Sequence, residues 1–145
     1  MKMKSPARKK SPTRSVDKEN PLYVARPAAG FPGMAEDGVE EMLNLHTHLV
    51  THPEATFFVR ATGDSMEGVG IFSGDILVVD RSLEPRHGSI VVAVFDGGFV
   101  VKQLQGRHPD YQLVSANEQY PPIRIADHDN CFIWGVVSSA VHKFA

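Results

Sequence analysis

The sequence has a single cysteine and no long apolar run. Because Cys131 has no partner among the 145 residues, the chain cannot form an internal disulfide. The longest apolar runs are strand-sized, such as Ile90 to Phe95, whereas a transmembrane helix needs roughly 20 apolar residues. The basic N-terminus is not followed by the apolar segment of a secretory signal peptide. These absences exclude a disulfide-stabilised secreted scaffold and predict a cytoplasmic protein that does not enter a membrane.

Acidic residues are absent from the first part of the chain, although the formal net charge of the whole is -2. Residues 1–14 contain Lys and Arg but no Asp or Glu, and they carry a net charge of +6. From Gly30 to the C-terminus, 7 Lys/Arg stand against 15 Asp/Glu, which gives a net charge of -8. Since DNA phosphates repel an acidic surface, we expect any DNA contact to be weak, non-specific and confined to residues 1–14.

Large apolar residues are scarce in residues 1–20, which contain the related tetrapeptides Ser5-Pro6-Ala7-Arg8 and Ser11-Pro12-Thr13-Arg14. A segment that buries little apolar surface cannot offset its loss of chain entropy, so this composition predicts disorder. The tetrapeptides are open to two interpretations, a DNA contact or a solubilising tail. Residues 21–38 are rich in Pro, Gly and Ala, and we interpret them as an extended, accessible linker.

Beyond residue 44, short runs rich in Val and Ile alternate with turn residues, as is typical of a β-rich domain. A short helix is predicted over residues 45–51, with Asn44 as its N-cap and Pro53 closing it. Asp96-Gly97-Gly98 predicts a tight hairpin. The predicted strands are Phe57–Ala61, Ile76–Asp80, Ile90–Phe95, Phe99–Leu104, Tyr111–Ser115, Phe132–His142 and a shorter one at Ile123–Ile125. The predicted fold class is therefore mostly β, a compact arrangement of mainly antiparallel strands with one short helix.

Two features indicate nucleophilic chemistry. Ser65 lies in the turn Gly63-Asp64-Ser65-Met66 after a predicted strand, where backbone N–H groups of Asp64 and Ser65 can converge on a developing oxyanion. Lys102 is the only lysine between residues 19 and 142, and it shares a strand face with Val100 and Leu104. Burial there would favour a neutral amine, which can accept the proton of a serine hydroxyl. Taken alone, each feature is more often structural, since glycine-serine turns are common and strand lysines usually reach solvent.

Together with their neighbours, these residues resemble the LexA/UmuD family of self-cleaving Ser/Lys peptidases, peptidase family S24. The resemblance covers about residues 28–142. The similar segments are Gly63-Asp64-Ser65-Met66, Ser73-Gly74-Asp75-Ile76-Leu77-Val78-Val79-Asp80, His87-Gly88-Ser89-Ile90-Val91 and Asp96-Gly97-Gly98-Phe99-Val100-Val101-Lys102. The resemblance implies a pseudo-barrel of curved strands, with Ser65 as the nucleophile and Lys102, 37 residues later, as its base. We predict no cofactor and no metal site.

The family cleaves itself at a bond between small residues upstream of the serine, and this chain offers Ala28-Ala29-Gly30-Phe31-Pro32. The resemblance therefore predicts cleavage between Ala29 and Gly30. Small side chains let the backbone enter a narrow cleft, and neighbouring prolines favour the extended conformation. Cleavage there divides the chain into a disordered arm over residues 1–29 and a peptidase-like β domain over residues 30–145.

Only 29 residues precede Gly30, and no DNA-binding helix-turn-helix domain of a LexA-type repressor fits in them. The resemblance therefore points to the UmuD-like branch of the family. In that branch a RecA–single-stranded DNA filament stimulates cleavage after DNA damage. The processed homodimer then serves as an accessory subunit of an error-prone Y-family (UmuC-like) translesion DNA polymerase in SOS mutagenesis.

Alternative functions stay open at this point. The body could be a non-catalytic protein-binding β-module, or a self-cleaving regulator of transcription. A signal peptidase shares the Ser/Lys chemistry but needs a membrane anchor, which this sequence does not offer. The spacing of His46, His48 and His52 could suggest a metal site, but no cysteine accompanies them and we interpret them as a solvated helix face. We interpret Asp75 and Asp80 as turn caps.

Overall fold

The structure, a computed structural model, describes residues 2–3, 18–24 and 38–145. These residues form two compact units, one from residues 18–24 and 38–51 and the other from residues 2–3 and 52–145. The smaller unit contains β2 (Asn20–Tyr23), β3 (Val39–Leu43) and α1 (Leu45–Leu49). The larger contains β1 (Lys2–Met3), β4 (Thr56–Arg60), β5 (Ile76–Asp80), β6 (Ile90–Phe95), β7 (Gly98–Arg107), β8 (Asp110–Val114), β9 (Ile123–Arg124) and β10 (Phe132–Val141).

In the smaller unit, β2 and β3 pair as antiparallel strands. The helix α1 follows directly, and the side-chain oxygen of Asn44 accepts a hydrogen bond from the backbone N–H of Thr47 at 3.1 Å. This contact satisfies one of the N–H groups that the first turn of a helix leaves without a partner, so the predicted N-cap is confirmed. The helix ends at Leu49, earlier than the predicted residue 51.

In the larger unit, the strands form one sheet in the order β4-β5-β10-β6-β7-β8-β9, and all neighbours are antiparallel. The strand β1 pairs with the first part of β7. Register shifts along β10, between Ile133 and Gly135 and between Val137 and Ser139, bend that strand. The sheet is curved as predicted, and among the described strands its pairing does not close from β9 back to β4.

Both faces of the central strands are buried. One apolar cluster contains Val92 and Val101, whereas a second contains their sequence neighbours Val91 and Val100. Since successive residues of a strand point to opposite faces, β6 and β7 contribute to both clusters. Burial on both sides explains why β6 is a continuous apolar run instead of an alternating one.

The hairpin between β6 and β7 sets the register of the strand that carries Lys102. Phe95 pairs with Gly98 across a two-residue turn, in which Asp96 has φ 51° and Gly97 has φ 77°. Turns with positive φ at both central positions match the twist of hairpin strands, and Asp-Gly is a preferred sequence for them. The predicted tight hairpin is confirmed, and its register places Lys102 opposite Val91.

The mostly β fold with one short helix is confirmed. β5 and β6 have the predicted bounds, whereas β7 runs to Arg107, beyond the predicted Leu104. The sequence did not predict β1, β2 or β3. The predicted arm over residues 1–29 contains β1 and β2, but most of it, including Ala29, lies outside the described residues, as does Gly30. The described part of the chain has no helix with the length and apolar character needed to cross a membrane.

Candidate active site

Ser65 lies in a tight turn after β4, and its neighbours hold that turn in place. Gly63 has φ 89°, a conformation that residues with a side chain rarely adopt. The carbonyl of Asp64 accepts a hydrogen bond from the N–H of Glu67 at 3.2 Å, and the side chain of Met66 is fully buried in the core. Ser65 itself is 1% exposed. The turn therefore presents the predicted nucleophile from a fixed backbone and shields it from bulk water.

Backbone hydrogen bonds also join the two ends of the loop that carries Ser65. The N–H of Ala61 donates to the carbonyl of Asp75 at 2.8 Å, and the N–H of Gly74 donates back to the carbonyl of Ala61 at 2.8 Å. These bonds continue the pairing of β4 with β5 beyond Arg60. A site that is built on such a braced loop keeps its geometry better than one on a free loop.

Lys102 lies on β7 among buried apolar residues. Val101 and Leu104 are fully buried, and Lys102 itself is 6% exposed. Because burial disfavours the charged form, it lowers the pKa of the Lys102 amine below the ordinary lysine value of 10.5. The amine nitrogen Nζ donates a hydrogen bond to Oγ of Ser115 at 2.5 Å. The predicted burial of this lysine is confirmed.

Tyr120 connects the Lys102 amine to the turn of Ser65. Nζ of Lys102 lies 5.1 Å from the centroid of the Tyr120 ring, within the range of a cation–π contact. The Tyr120 hydroxyl donates to Oδ1 of Asp64 at 3.3 Å. Asp64 directly precedes Ser65, so the predicted base and the turn of the predicted nucleophile meet at the same tyrosine.

The sequence analysis missed two side chains of this site, Ser115 and Tyr120. Both follow β8, in a segment without regular structure. Their contacts with Lys102 and Asp64 join residues that are 13 to 56 positions apart. The fact that Ser115 comes at the end of a predicted strand was the only signal that could have suggested its position.

An open groove of about 460 Å³ lies beside the Ser65 turn. Asp64, Glu67 and Gly68 form one wall, and residues 116–119 form the other. The walls approach closely because residue 68 is glycine: a Cβ there would lie 2.6 Å from the carbonyl oxygen of Ala116. The groove therefore lies next to Asp64, the residue that precedes Ser65.

The other acidic residues singled out in the sequence have structural roles. Oδ1 of Asp80 accepts hydrogen bonds from the N–H of Ser82 at 2.8 Å and from its hydroxyl at 2.6 Å, while Oδ2 lies 2.6 Å from Nδ1 of His52. Burial alone would raise the pKa of Asp80, but the hydrogen bonds from Ser82 and His52 outweigh it and hold that pKa below its ordinary value. Asp75 is hydrogen-bonded to His142. Within the described residues, no cluster of three or more His, Cys, Asp or Glu side chains could hold a metal ion.

Comparison with known proteins identifies relatives along most of the chain. The sequence profile of the Peptidase S24-like family matches residues 21–138. Protein SamA of Salmonella typhimurium is 44% identical over 128 residues, which cover 88% of this chain and 89% of SamA. Protein MucA of Escherichia coli is 46% identical over 122 residues, 83% of each chain. The LexA repressor of Shewanella woodyi is 32% identical over 111 residues, 77% of this chain and 54% of the repressor.

The family match includes both Ser65 and Lys102, and it agrees with the resemblance predicted from the sequence motifs. The matches to SamA and MucA cover most of this chain and most of each relative, so they do not rest on one shared motif. The chain therefore belongs to the peptidase S24 family of self-cleaving serine peptidases.

Proposed function

We propose that Ser65 is the nucleophile of the self-cleavage reaction and that Lys102 is its general base. The observation that carries this proposal is the burial of Lys102, which is 6% exposed and has a lowered pKa. A lysine that loses its proton more readily can act as a base, whereas an ordinary surface lysine is protonated at pH 7. The contacts of Tyr120 with Lys102 and Asp64 support the pairing of this base with the turn of Ser65.

The proposed reaction begins when the amine of Lys102 takes the proton of the Ser65 hydroxyl and Oγ attacks the carbonyl carbon of Ala29. The backbone N–H groups of Asp64 and Ser65 stabilise the oxyanion that forms. As the C–N bond breaks, Lys102 returns the proton to the departing amine of Gly30, and an ester remains on Ser65. A water molecule then hydrolyses the ester, which releases the Ala29 carboxylate and restores the hydroxyl.

The cleavage site can be tested by enlarging the residue before the bond. We expect Ala29→Phe to slow self-cleavage by at least about 100-fold, because a bulky side chain cannot enter a cleft that accepts small residues. The matched control is Ala7→Phe, which places the same side chain in the first tetrapeptide of the arm and should cleave at the normal rate. N-terminal sequencing of the wild-type product should read Gly30-Phe31-Pro32. Any other N-terminus would reject the assigned bond.

We further propose that cleavage activates the protein as an accessory subunit of an error-prone Y-family DNA polymerase in the SOS response to DNA damage. A RecA–single-stranded DNA filament would stimulate the cleavage, and the active fragment would be a homodimer of residues 30–145. Similarity along most of the lengths of SamA and MucA supports this assignment over a repressor, since the match to LexA covers 54% of that protein. The net charge of -8 on residues 30–145 favours action through protein contacts, with weak DNA binding left to residues 1–14.

The polymerase role predicts that the cleaved form binds the polymerase subunit more strongly than the uncleaved form does. Size-exclusion chromatography with a Y-family polymerase subunit should give a complex with the fragment that begins at Gly30 and much less complex with uncleavable Ser65→Ala. If the fragment also carries Ser65→Ala, both forms have the same β domain and the comparison isolates the arm. Equal complex formation would reject activation by cleavage. Absence of a complex with either form would reject the polymerase role and leave the peptidase assignment unaffected.

A further inference from the structure

We propose that Ser115 is a positioning residue for self-cleavage, whose hydroxyl holds the Lys102 amine in the orientation that accepts the proton of Ser65. The inference rests on the proposed function of the Ser65/Lys102 pair. It adds a third side chain, one that acts on the reaction through Lys102 and not by touching the substrate.

The pairing of β7 with β8 brings Ser115 next to Lys102. In the antiparallel pairing of β7 with β8, Gln103 lies opposite Val114, and β8 ends at Val114. The next facing positions are therefore Lys102 and Ser115. At this point the two strands are joined through side chains, by the 2.5 Å hydrogen bond from Nζ to Oγ. The register of β7 and β8 thus brings Ser115, the first residue after β8, to Lys102.

A lysine base needs such a contact for geometric reasons. The amine sits at the end of a chain of rotatable bonds, and in its neutral form it has two N–H groups and one lone pair. The lone pair can face Ser65 only if the N–H groups point elsewhere. The oxygen of Ser115 accepts one of them and limits the rotation of the amine, while the ring of Tyr120 covers another side at 5.1 Å. Holding a reacting group in its productive orientation removes part of the entropic barrier to reaction.

The same hydrogen bond also affects the protonation of Lys102. An oxygen that accepts a hydrogen bond from the amine stabilises the charged ammonium more than the neutral amine. Loss of the Ser115 oxygen should therefore lower the pKa of Lys102 further. Among the described residues, the Tyr120 ring covers another side of the amine, the Tyr120 hydroxyl donates to the Asp64 carboxylate, and the apolar Val91 lies opposite Lys102 on β6. Ser115→Ala changes none of these side chains.

The test compares pH–rate profiles of filament-free self-cleavage between pH 6 and 10. In Ser115→Ala we expect the plateau rate to fall about 10- to 100-fold because the amine is no longer oriented. The midpoint of the profile should move down by about one pH unit because the ammonium loses its acceptor. Ser115→Thr keeps the hydroxyl and should stay within about threefold of wild type at an unchanged midpoint. The matched control is Ser138→Ala, which removes a hydroxyl that donates to the carbonyl of Val78 at 3.3 Å and not one that contacts Lys102. This control should cleave like wild type.

Two results would overturn the inference in a variant that circular dichroism shows to be folded. One is a Ser115→Ala profile that superimposes on the wild-type profile. The other is a profile in which the plateau rate falls but the midpoint does not move. That profile would indicate structural damage and no direct effect on the amine. If Ser115→Ala does not fold, Ser115→Cys preserves the volume with a weaker acceptor, and it must show the same two changes.

Parallel measurements separate this inference from the proposed function on which it rests. Ser65→Ala and Lys102→Ala are assayed under the same conditions. Normal cleavage by either one rejects the Ser/Lys pair itself. If both are inactive and Ser115→Ala cleaves like wild type at every pH, the pair stands and only the role of Ser115 is rejected.

Discussion

Ser65→Ala and Lys102→Ala should each reduce the rate of self-cleavage by a factor on the order of 10⁴ or more, because each removes one partner of the same proton transfer. The double variant should be no slower than the slower single variant, since a nucleophile and its base act as a unit. Densitometry of intact and cleaved chain over time measures all three rates under identical conditions.

Matched controls for these substitutions come from the same chain. Ser138→Ala and Lys143→Ala make the same side-chain changes at exposed positions and should cleave like wild type. Thermal unfolding of Ser65→Ala and Lys102→Ala must show a cooperative transition, so that the loss of cleavage is not a loss of fold. Normal cleavage by folded Ser65→Ala, with contaminating proteases excluded, would reject Ser65 as the nucleophile.

The rate of filament-free cleavage should rise with pH and then level off. Only the neutral amine of Lys102 accepts a proton, and its fraction rises as the pH approaches the pKa of that amine from below. Burial lowers this pKa below the ordinary 10.5, so the plateau should begin at a lower pH than an exposed lysine would allow. Below the midpoint we expect about a tenfold increase in rate per pH unit, as for a single titrating base.

Lys102→Arg is the sharpest control for this pH dependence. The guanidinium keeps the positive charge and much of the length, but it stays protonated throughout the accessible pH range. We therefore expect no cleavage by Lys102→Arg from pH 7 to 10. Circular dichroism at each pH checks that the wild-type fold persists. A wild-type rate that is flat or falls over this range would contradict a lysine base.

Local patterns in the sequence were enough to predict most of the large sheet. The run Ile90 to Phe95 is bounded by turn residues, and Asp96-Gly97 has the backbone preference that a two-residue hairpin requires. The burial of Lys102 was predictable for the same reason, because its apolar strand neighbours show that its surroundings exclude water. These features depend on neighbours in sequence, and a sequence pattern can detect them.

The pairing of β2 with β3 was missed because most of β2 lies in the segment interpreted as a linker, residues 21–38. Pro21 lies inside β2, and proline lowers the strand propensity of any segment. A two-stranded sheet tolerates it, since both strands are edges and one side of each needs no hydrogen-bond partner. The tertiary pairing with β3 therefore overrode the local preference of Asn20 to Tyr23.

The supporting side chains of the site were missed for a different reason. Ser115 reaches Lys102 because β7 and β8 pair in one register, and Tyr120 reaches Asp64 across 56 positions of sequence. Neither contact follows from periodicity or from a motif, because each depends on the order of strands in the sheet. The resemblance to a family indicated Ser65 and Lys102, whereas the structure shows that Ser115 and Tyr120 contact the Lys102 amine.

Intact-mass spectrometry of the purified protein, incubated with and without an activated RecA filament, tests the central claim most directly. We predict that the filament converts the chain into two species, residues 1–29 and residues 30–145, whose masses add up to that of the intact chain plus one water. Folded Ser65→Ala should keep the intact mass under both conditions. A wild-type chain that keeps its intact mass with the filament and also at alkaline pH, or a Ser65→Ala chain that gives the same two species, would contradict self-cleavage by Ser65.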